Sequence, residues 1–508
     1  MRDGWDVIVV GAGAAGSALA ARLSENPDRR VLVLEAGRVP TDVAGFGSAL
    51  LDAARVPGAD PRTEEVWRYP VRLTSDRDYT VLRGRMLGGS MAVNGGYFIR
   101  PRRIDLERWA EAGGDAWRYP NVLPVLRRME RDLDYGASAL HGDAGPIPVS
   151  RPRADDAWSR AFADAARSMG HVDEVDKNAE GPIGVGPVPM NVADGVRWNA
   201  GAAYLLPAMG RSNLEVRGDE NVHRIRIENG RAVGVEVVRA GRVELIEAGE
   251  VVLCAGAFGS AALLFRSGVG PADALTSAGV EVVADSPVGT SFADHPQVIV
   301  EAARSAPLEV SERWLSHALN LRTEHRGEAG EAEILQSSTP LAVLAGDDSD
   351  GAELPLPLLV SLQVSRSRGT LRLDPRDPNG PPIIDYQYLS EQADRAGLRD
   401  AVRIAAGLLA SDAMQDVGVR NAEPALLDSD DDRLDSWIGA RLGTSVHASA
   451  TAPMGSESDP AAVVDGSGRV HGVTGLRVAD TSILPDTPRR GPAASAVLVG
   501  EVIARAMR

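Results

Sequence analysis

The chain has 508 residues, a net charge of −17, 44% hydrophobic and 25% charged residues. Its length exceeds the roughly 250–300 residues at which a single core stops growing, so two lobes are expected, and its acidity argues against a general nucleic-acid binder, which carries a basic patch. No apolar run approaches the roughly 18 residues of a membrane span, and no charged leader precedes the first one, so a cytoplasmic location is expected, with contact at a membrane surface left open.

In chain order, Asp6–Val10 reads as a strand. It leads into Gly11-Ala12-Gly13-Ala14-Ala15-Gly16, a helix from Ser17 to Leu23, and a second strand, Arg30–Leu34, that ends at Glu35. A dinucleotide pyrophosphate requires this order: Gly11 permits the tight turn, Gly13 lets the backbone approach the phosphates, and Gly16 lets the helix pack close to the strand. The helix N-terminus offers free N–H groups and the positive end of its dipole. Glu35, 24 residues beyond Gly11, is placed to accept hydrogen bonds from a ribose.

Helical spacing marks Ile104–Ala112, Pro120–Leu133 and Trp158–Ser168. Strands follow at Leu214–Arg217, His223–Glu228, Ala232–Arg239 and Arg242–Ala248, with turns at Asn229-Gly230 and Ala240-Gly241. The last two strands form a hairpin, and Glu250–Ala255 returns as a buried apolar strand. Cys254 lies in that run and reads as packed rather than reactive; as the only cysteine it excludes an intramolecular disulfide and an all-cysteine zinc site. Val298–Ala303, Glu333–Leu341 and Leu358–Ser365 suggest a second, more open sheet, and Ala393–Leu409 a helix. The acidic run Asp428–Asp432 precedes Trp437 and reads as a helix cap rather than a metal site. Leu476–Asp480 is a strand running into a loop, and Ala493–Met507 a terminal helix.

Several segments together resemble one family. Gly84-Arg-Met-Leu-Gly-Gly-Ser-Met-Ala-Val-Asn94, continuing to Phe98, Pro101 and Glu107, is similar to the first signature of the glucose–methanol–choline (GMC) oxidoreductases, FAD enzymes that act on alcohols; Met91 stands where a small residue is usual. Gly256–Gly270 is similar to the second signature, with Ala261 replacing the usual Pro or Ser. Asp294-His-Pro296, Ser367–Leu373 and Val478–Pro485 match further family segments, in order, over nearly the whole chain. The resemblance implies a two-lobe α/β fold. A Rossmann-like FAD-binding domain would comprise 1–150, 185–292 and 446–508. A substrate domain, 151–184 and 293–445, would carry a mainly antiparallel sheet flanked by helices.

It also implies FAD contacts at Gly11, Gly13, Ala14, Gly16, Glu35, Ala36, Gly88, Gly89, Asn94, Gly95, Val222, Ala255, Gly256 and Asp480, and no metal. Some relatives attach FAD covalently through a histidine just before the matching asparagine. Here that position is Val93, which has no nucleophile, so non-covalent FAD is expected. The implied reaction is oxidation of a CH–OH donor by hydride transfer to flavin N5, with a base taking the hydroxyl proton. Histidine suits that role because its ordinary pKa of roughly 6.5 lies near working pH.

His447 heads a stretch, Val446–Gly455, similar to the family's catalytic-histidine segment. His295 is expected to support the site rather than to react. The family usually places a second histidine or an asparagine in the last loop. Counting from Pro485 and back from Gly500, that position here is Gly491, preceded by Arg489-Arg490. Three outcomes stay open: another partner for His447, a role for Arg490 or a backbone group, or loss of ordinary alcohol oxidation. The two arginines could also simply lie at the surface. Tyr97, Gln336 and Gln363 are candidate substrate contacts.

Asn94–Phe98 and Pro488–Ala494 further resemble GMC dehydrogenases associated with mycofactocin, a peptide-derived redox cofactor, which implies reoxidation of that reduced cofactor and an external electron acceptor. The substrate would be a small alcohol or polyol. A GMC-fold lyase that keeps FAD as structure and a non-catalytic flavin-binding partner are the alternatives.

Overall fold

The computed structural model describes residues 4–239, 241–323, 330–347 and 351–508. The expected turn at Ala240-Gly241 therefore falls partly outside the described residues, at Ala240. The first sheet places its strands in the order Leu214–Arg217, Val31–Leu34, Trp5–Val10, Arg242–Leu253, Arg231–Arg239, Val222–Glu228, and Leu476–Val478 also pairs with Arg242–Leu253. Arg242–Leu253 is a single strand rather than the two expected. Its first half runs antiparallel to Arg231–Arg239, and its second half runs parallel to Trp5–Val10. Asn229 (φ 50°) and Gly230 (φ 72°) supply the left-handed residues of the turn before it.

Register decides where the ligand edge lies. Val10 aligns with Leu34 on one side and Leu253 on the other, and Leu253 aligns with Val478. Gly11, Glu35, Cys254 and Ala479 therefore follow the strand ends in one row, at the carboxyl edge where parallel sheets bind ligands. Val7–Val10, Val31–Leu34 and Val251–Leu253 behind that row are apolar and buried, as expected for a parallel sheet covered on both faces.

The second sheet is antiparallel throughout: Val419–Asn421, Pro296–Arg304, Leu356–Leu362, Ala332–Ser337, Leu315–Leu321 and Val185–Pro187, with Gly443–Thr444 also pairing Pro296–Arg304. The helices Gln392–Ala410 and Ala157–Ser168 pack on it. Val185–Pro187 thus sits with Leu315–Leu321, not with the first sheet, which moves the expected boundary at 185. A third sheet crosses the expected division as well: Thr370–Arg372 and Ile383–Asp385 join the hairpin Val66–Thr74 and Arg77–Gly84.

Two elements end earlier than the spacing suggests. The helix Tyr119–Met129 stops short of Leu133 because Glu130 and Asp132 enter a short strand and a buried ion cluster. There Arg100 pairs with Glu130, Arg151 with Asp132, and His141 lies 2.9 Å from Glu130 and 3.0 Å from Asp132. Glu130, Asp132 and His141 are grouped closely enough to ligate a metal. Arg100 and Arg151 neutralise these carboxylates, and the carboxylates hold the His141 pKa up at about 10, against its burial. The strand expected over Glu333–Leu341 ends at Ser337, and Pro340 starts a one-turn helix, Leu341–Leu344. The acidic run does cap a helix: Asp430 Oδ1 accepts from Arg433 N at 2.9 Å, at the head of Asp431–Arg441.

Candidate active site

The three glycines of the first loop meet different surroundings. A Cβ on Gly11, where φ is 99°, would lie 2.6 Å from the Cys254 carbonyl oxygen, and one on Gly16 only 2.0 Å from the Gly11 carbonyl oxygen. A Cβ on Gly13 would meet nothing closer than 3.8 Å. Backbone packing therefore requires Gly11 and Gly16, whereas the space beside Gly13 belongs to no protein atom. Gly13 caps the helix Ala14–Leu23 without any side-chain hydrogen bond to its first turn, so those N–H groups are free for an anion. Gly88 donates from its N–H to Ala12 O at 2.8 Å, and a Cβ on Gly89 would strike Gly13 Cα at 2.7 Å, so the second glycine loop lies directly on the first.

Glu35 closes this cradle. Oε2 accepts from Ala12 N at 2.8 Å and Oε1 from Gly37 N at 2.9 Å, while burial raises its pKa. Each oxygen keeps a second lone pair for a ribose hydroxyl. Ala36 follows it, and Val222 lies near, because Glu220 donates its backbone N–H to the Glu35 carbonyl. Asp480 is 4% exposed. Its Oδ2 accepts from Gly256 N at 2.8 Å and Ser260 Oγ at 2.5 Å, and its Oδ1 from Ser482 N and Oγ. In this structure it ties the last loop to the helix Gly256–Arg266. Gly256, at φ 78°, has open space where a Cβ would be, and Ala255 precedes it. An open, uncapped helix start, two stacked glycine loops and a buried acid at the strand ends fit a dinucleotide such as FAD.

The His447 segment runs beside Asp480: Ala450, Ala452 and Met454 donate backbone N–H groups to Thr481, Ser482 and Ile483. His447 is half-buried, and its backbone N–H is held by Asp294 Oδ1 at 2.8 Å. Burial and the nearby Arg83 guanidinium push its imidazole down to about 3. Its Nδ1 lies 2.9 Å from His295 Nδ1, with the two rings edge-on. His295 is buried and held well below the usual histidine range by burial and by His447. Its Nε2 is buried with no hydrogen-bond partner among the described residues. With both rings neutral, one Nδ1 donates and the other accepts. His447 Nε2 has no hydrogen-bond partner among the described residues. Gly491 faces it: a Cβ there would lie 3.4 Å from Nε2 and 3.9 Å from Tyr97 Cδ1.

Tyr97 belongs to this site, and its hydroxyl donates to Glu333 Oε2 at 3.1 Å. Glu333 also accepts from Asn320 Nδ2 at 3.0 Å and Gln363 Nε2 at 3.3 Å, so Gln363 lies in the same cluster. Asn94 and Gly95 turn the preceding loop: Asn94 Oδ1 accepts from Gly96 N, and Trp314 Nε1 donates to Gly95 O at 2.6 Å. Two expectations change. Gln336 lies on the other face of its strand from Glu333 and donates to Trp158 O at 2.7 Å, so it packs under the helix Ala157–Ser168 and leaves the site. Arg490 does not reach His447; its guanidinium binds Glu174 Oε1 at 2.6 Å and the Lys177 carbonyl. Neither arginine is at the surface, Arg489 being 3% and Arg490 2% exposed.

Residues not singled out from sequence complete the picture. Asp294 orients both histidine backbones and is raised to about 6 by burial. Arg83 donates to Val446 O at 2.6 Å. Glu333 was signalled only as an acid inside an apolar strand, and Asp294 only as the neighbour of His295.

Comparison with known proteins agrees with this architecture. The GMC oxidoreductase N-terminal profile matches residues 5–297 and the C-terminal profile residues 365–500. An uncharacterised GMC-type oxidoreductase in the thcA 5′ region of Rhodococcus erythropolis is 43% identical over 506 residues, 98% of this chain and 97% of that one. The oxygen-dependent choline dehydrogenase of Rhizobium etli is 32% identical over 523 residues, covering 98% and 94%. Among solved structures, pyridoxine 4-oxidase from Mesorbium loti superposes with a TM-score of 0.88 at 31% identity, covering 99% of each chain. The chain belongs to the GMC oxidoreductase family and is an FAD-dependent oxidoreductase.

Proposed function

We propose that the protein oxidises a small alcohol with non-covalently bound FAD, His447 serving as the base. FAD, when bound, supplies the hydride acceptor. The observation that carries the reading is the His295–His447 pair. In this reading His447 donates from Nδ1 to His295, 2.9 Å away, and turns its Nε2 lone pair toward Gly491. An alcohol hydroxyl placed there donates to Nε2, and proton transfer to Nε2 raises electron density on the carbon that gives up hydride. Tyr97, Gln363 and Glu333 line the same side and position the substrate's remaining polar groups. Arg83 disfavours charge on the free imidazole, so His447 enters each cycle unprotonated. Glu35 and Gly13 anchor the ADP half of the cofactor, and Asp480 lies toward its ribityl or pyrophosphate region.

Alcohol-type substrates accord with relatives named for choline and pyridoxine. The narrower reading, reoxidation of reduced mycofactocin with electrons passing to an external acceptor, is supported by the segments that resemble that branch, since Tyr97 and Gly491 both border His447. A cytoplasmic site of action is part of the same proposal; no helix among the described residues is long and apolar enough to cross a membrane. The bare side of Gly491 favours one second reading, a lyase retaining FAD as structure. Anaerobic mixing with candidate alcohols decides: bleaching of the flavin supports oxidation, and substrate cleavage without bleaching supports the lyase.

A further inference from the structure

Three cations, two of them fully buried, converge on one carboxylate beside the site. Glu174 Oε1 accepts from Arg490 Nη2 at 2.6 Å and Arg102 Nη2 at 3.1 Å, and Glu174 Oε2 accepts from Lys177 Nζ at 2.7 Å. Two more buried acids lie close by: Asp105, whose Oδ2 accepts from Arg102 N at 2.9 Å, and Glu333, linked through Asn320, which accepts from Lys177 and donates to Glu333. Lys177 and Arg490 are almost wholly enclosed. Burial, with Arg490 alongside, pushes Lys177 down to about 8 and Arg102 down to about 10. The cations nonetheless bring more N–H donors to this cluster than its acids accept.

A cavity of about 40 Å³ adjoins this cluster. Arg100, Arg102, Lys177 and Arg490 bound it, and the exposed Glu180 and Gly181 lie at its rim. The Nε atoms of Arg100, Arg102 and Arg490 are buried and have no hydrogen-bond partner among the described residues. Arg100 has its own acid, Glu130 at 2.5 Å, which leaves Arg102, Lys177 and Arg490 as the cavity's remaining cations. The volume accommodates about three waters, or the atoms of one carboxylate. Guanidinium forks and an ammonium are the donors that carboxylate and phosphate oxygens select.

We propose that this cavity is a binding site for a small oxyanion, the carboxylate or phosphate group of a ligand, held by Arg102, Lys177 and Arg490. Arg490 immediately precedes Gly491, so the anion is either a group on the substrate being oxidised or a free anion bound next to it. The binding site itself does not depend on the oxidation reading; only the assignment of the anion to the substrate does.

The test is calorimetric titration of the FAD-loaded protein with inorganic phosphate and, separately, acetate at constant ionic strength. The site predicts saturable binding of at least one of them and a rise in Tm of about 3 °C near saturation. Binding weakens about tenfold or more in Arg102→Gln, partly recovers in Arg102→Lys, and is unchanged in Arg376→Gln, an exposed arginine elsewhere. Arg102→Gln leaves Glu174 paired with Lys177 and Arg490. If that variant fails to fold, Arg102→Lys against Arg376→Gln carries the comparison. No saturable binding to the wild type, or equal binding in the Arg102 and Arg376 variants, overturns the proposal. In turnover, an anion that raises KM for the alcohol without changing kcat marks the subsite as the substrate's. One that changes kcat with KM constant marks a free anion.

Discussion

Replacing Gly491 with alanine adds one methyl carbon 3.4 Å from Nε2 and 3.5 Å from Cε1 of His447. Gly491 is not among the glycines at positive φ. The substitution therefore strains no backbone, and reduced freedom in the unfolded chain adds about 0.4–1 kcal/mol of stability. An alcohol oxygen hydrogen-bonded to Nε2 lies about 2.8 Å from it, on a nitrogen whose flank the methyl now occupies. Losing that hydrogen bond costs about 1–1.5 kcal/mol, or about tenfold in kcat/KM. Stability and activity should therefore separate, with Tm unchanged or slightly higher while kcat/KM falls. Thermal melts and anaerobic flavin-reduction rates on the same preparation measure both. An unchanged rate would show that the substrate does not approach Nε2 past Gly491. A fall in rate that tracked a fall in Tm would show the glycine to be structural.

Other outcomes follow from the same geometry. Gly13→Ala should fold normally yet purify with little flavin, because only ligand space is lost, whereas Gly16→Ala, with its 2.0 Å backbone clash, should lose about 3 kcal/mol of stability or more; flavin-to-protein absorbance and Tm separate the two. His295→Ala should lower kcat about tenfold with KM little changed, since it removes the acceptor that fixes the His447 tautomer; a KM effect alone would contradict that role. His447 is held at about 3, so kcat/KM should stay flat through the ordinary histidine range, and a limb near pH 6.5 that vanished in His447→Gln would oppose this. His317, buried and pushed down to about 4, binds its proton less readily folded than unfolded. Stability should therefore be complete above about pH 6.5 and fall as pH drops toward 4, by up to about 3 kcal/mol, and His317→Gln should flatten that slope in urea melts.

Local pattern carried much of this structure. Glycine spacing, strand length and the acid at Glu35 are set by contacts within about forty residues, and the observed register places them as expected. The His447–Gly491 pairing was legible through the family segment. What escaped depended on long-range packing. The strand Leu315–Leu321 is buried on both faces and holds no β-branched residue, so it shows neither alternation nor β preference. In the hairpin Val66–Thr74 and Arg77–Gly84, Pro70 interrupts the strand signal. Gln336 and Glu333 differ by an odd number of positions, so they take opposite faces, and nothing local says which face meets the site. Arg490 could not be aimed from sequence because its partner Glu174 lies 316 residues away.

The central claim is that His447 takes the proton as an alcohol reduces the flavin. Stopped-flow anaerobic mixing of the yellow protein with its best alcohol, for wild type and His447→Ala, tests it most directly. The account predicts rapid bleaching in the wild type and a rate about 10²–10⁴-fold slower in the variant, with flavin content unchanged. Equal rates, or an alcohol transformed with no bleaching in either protein, would contradict it.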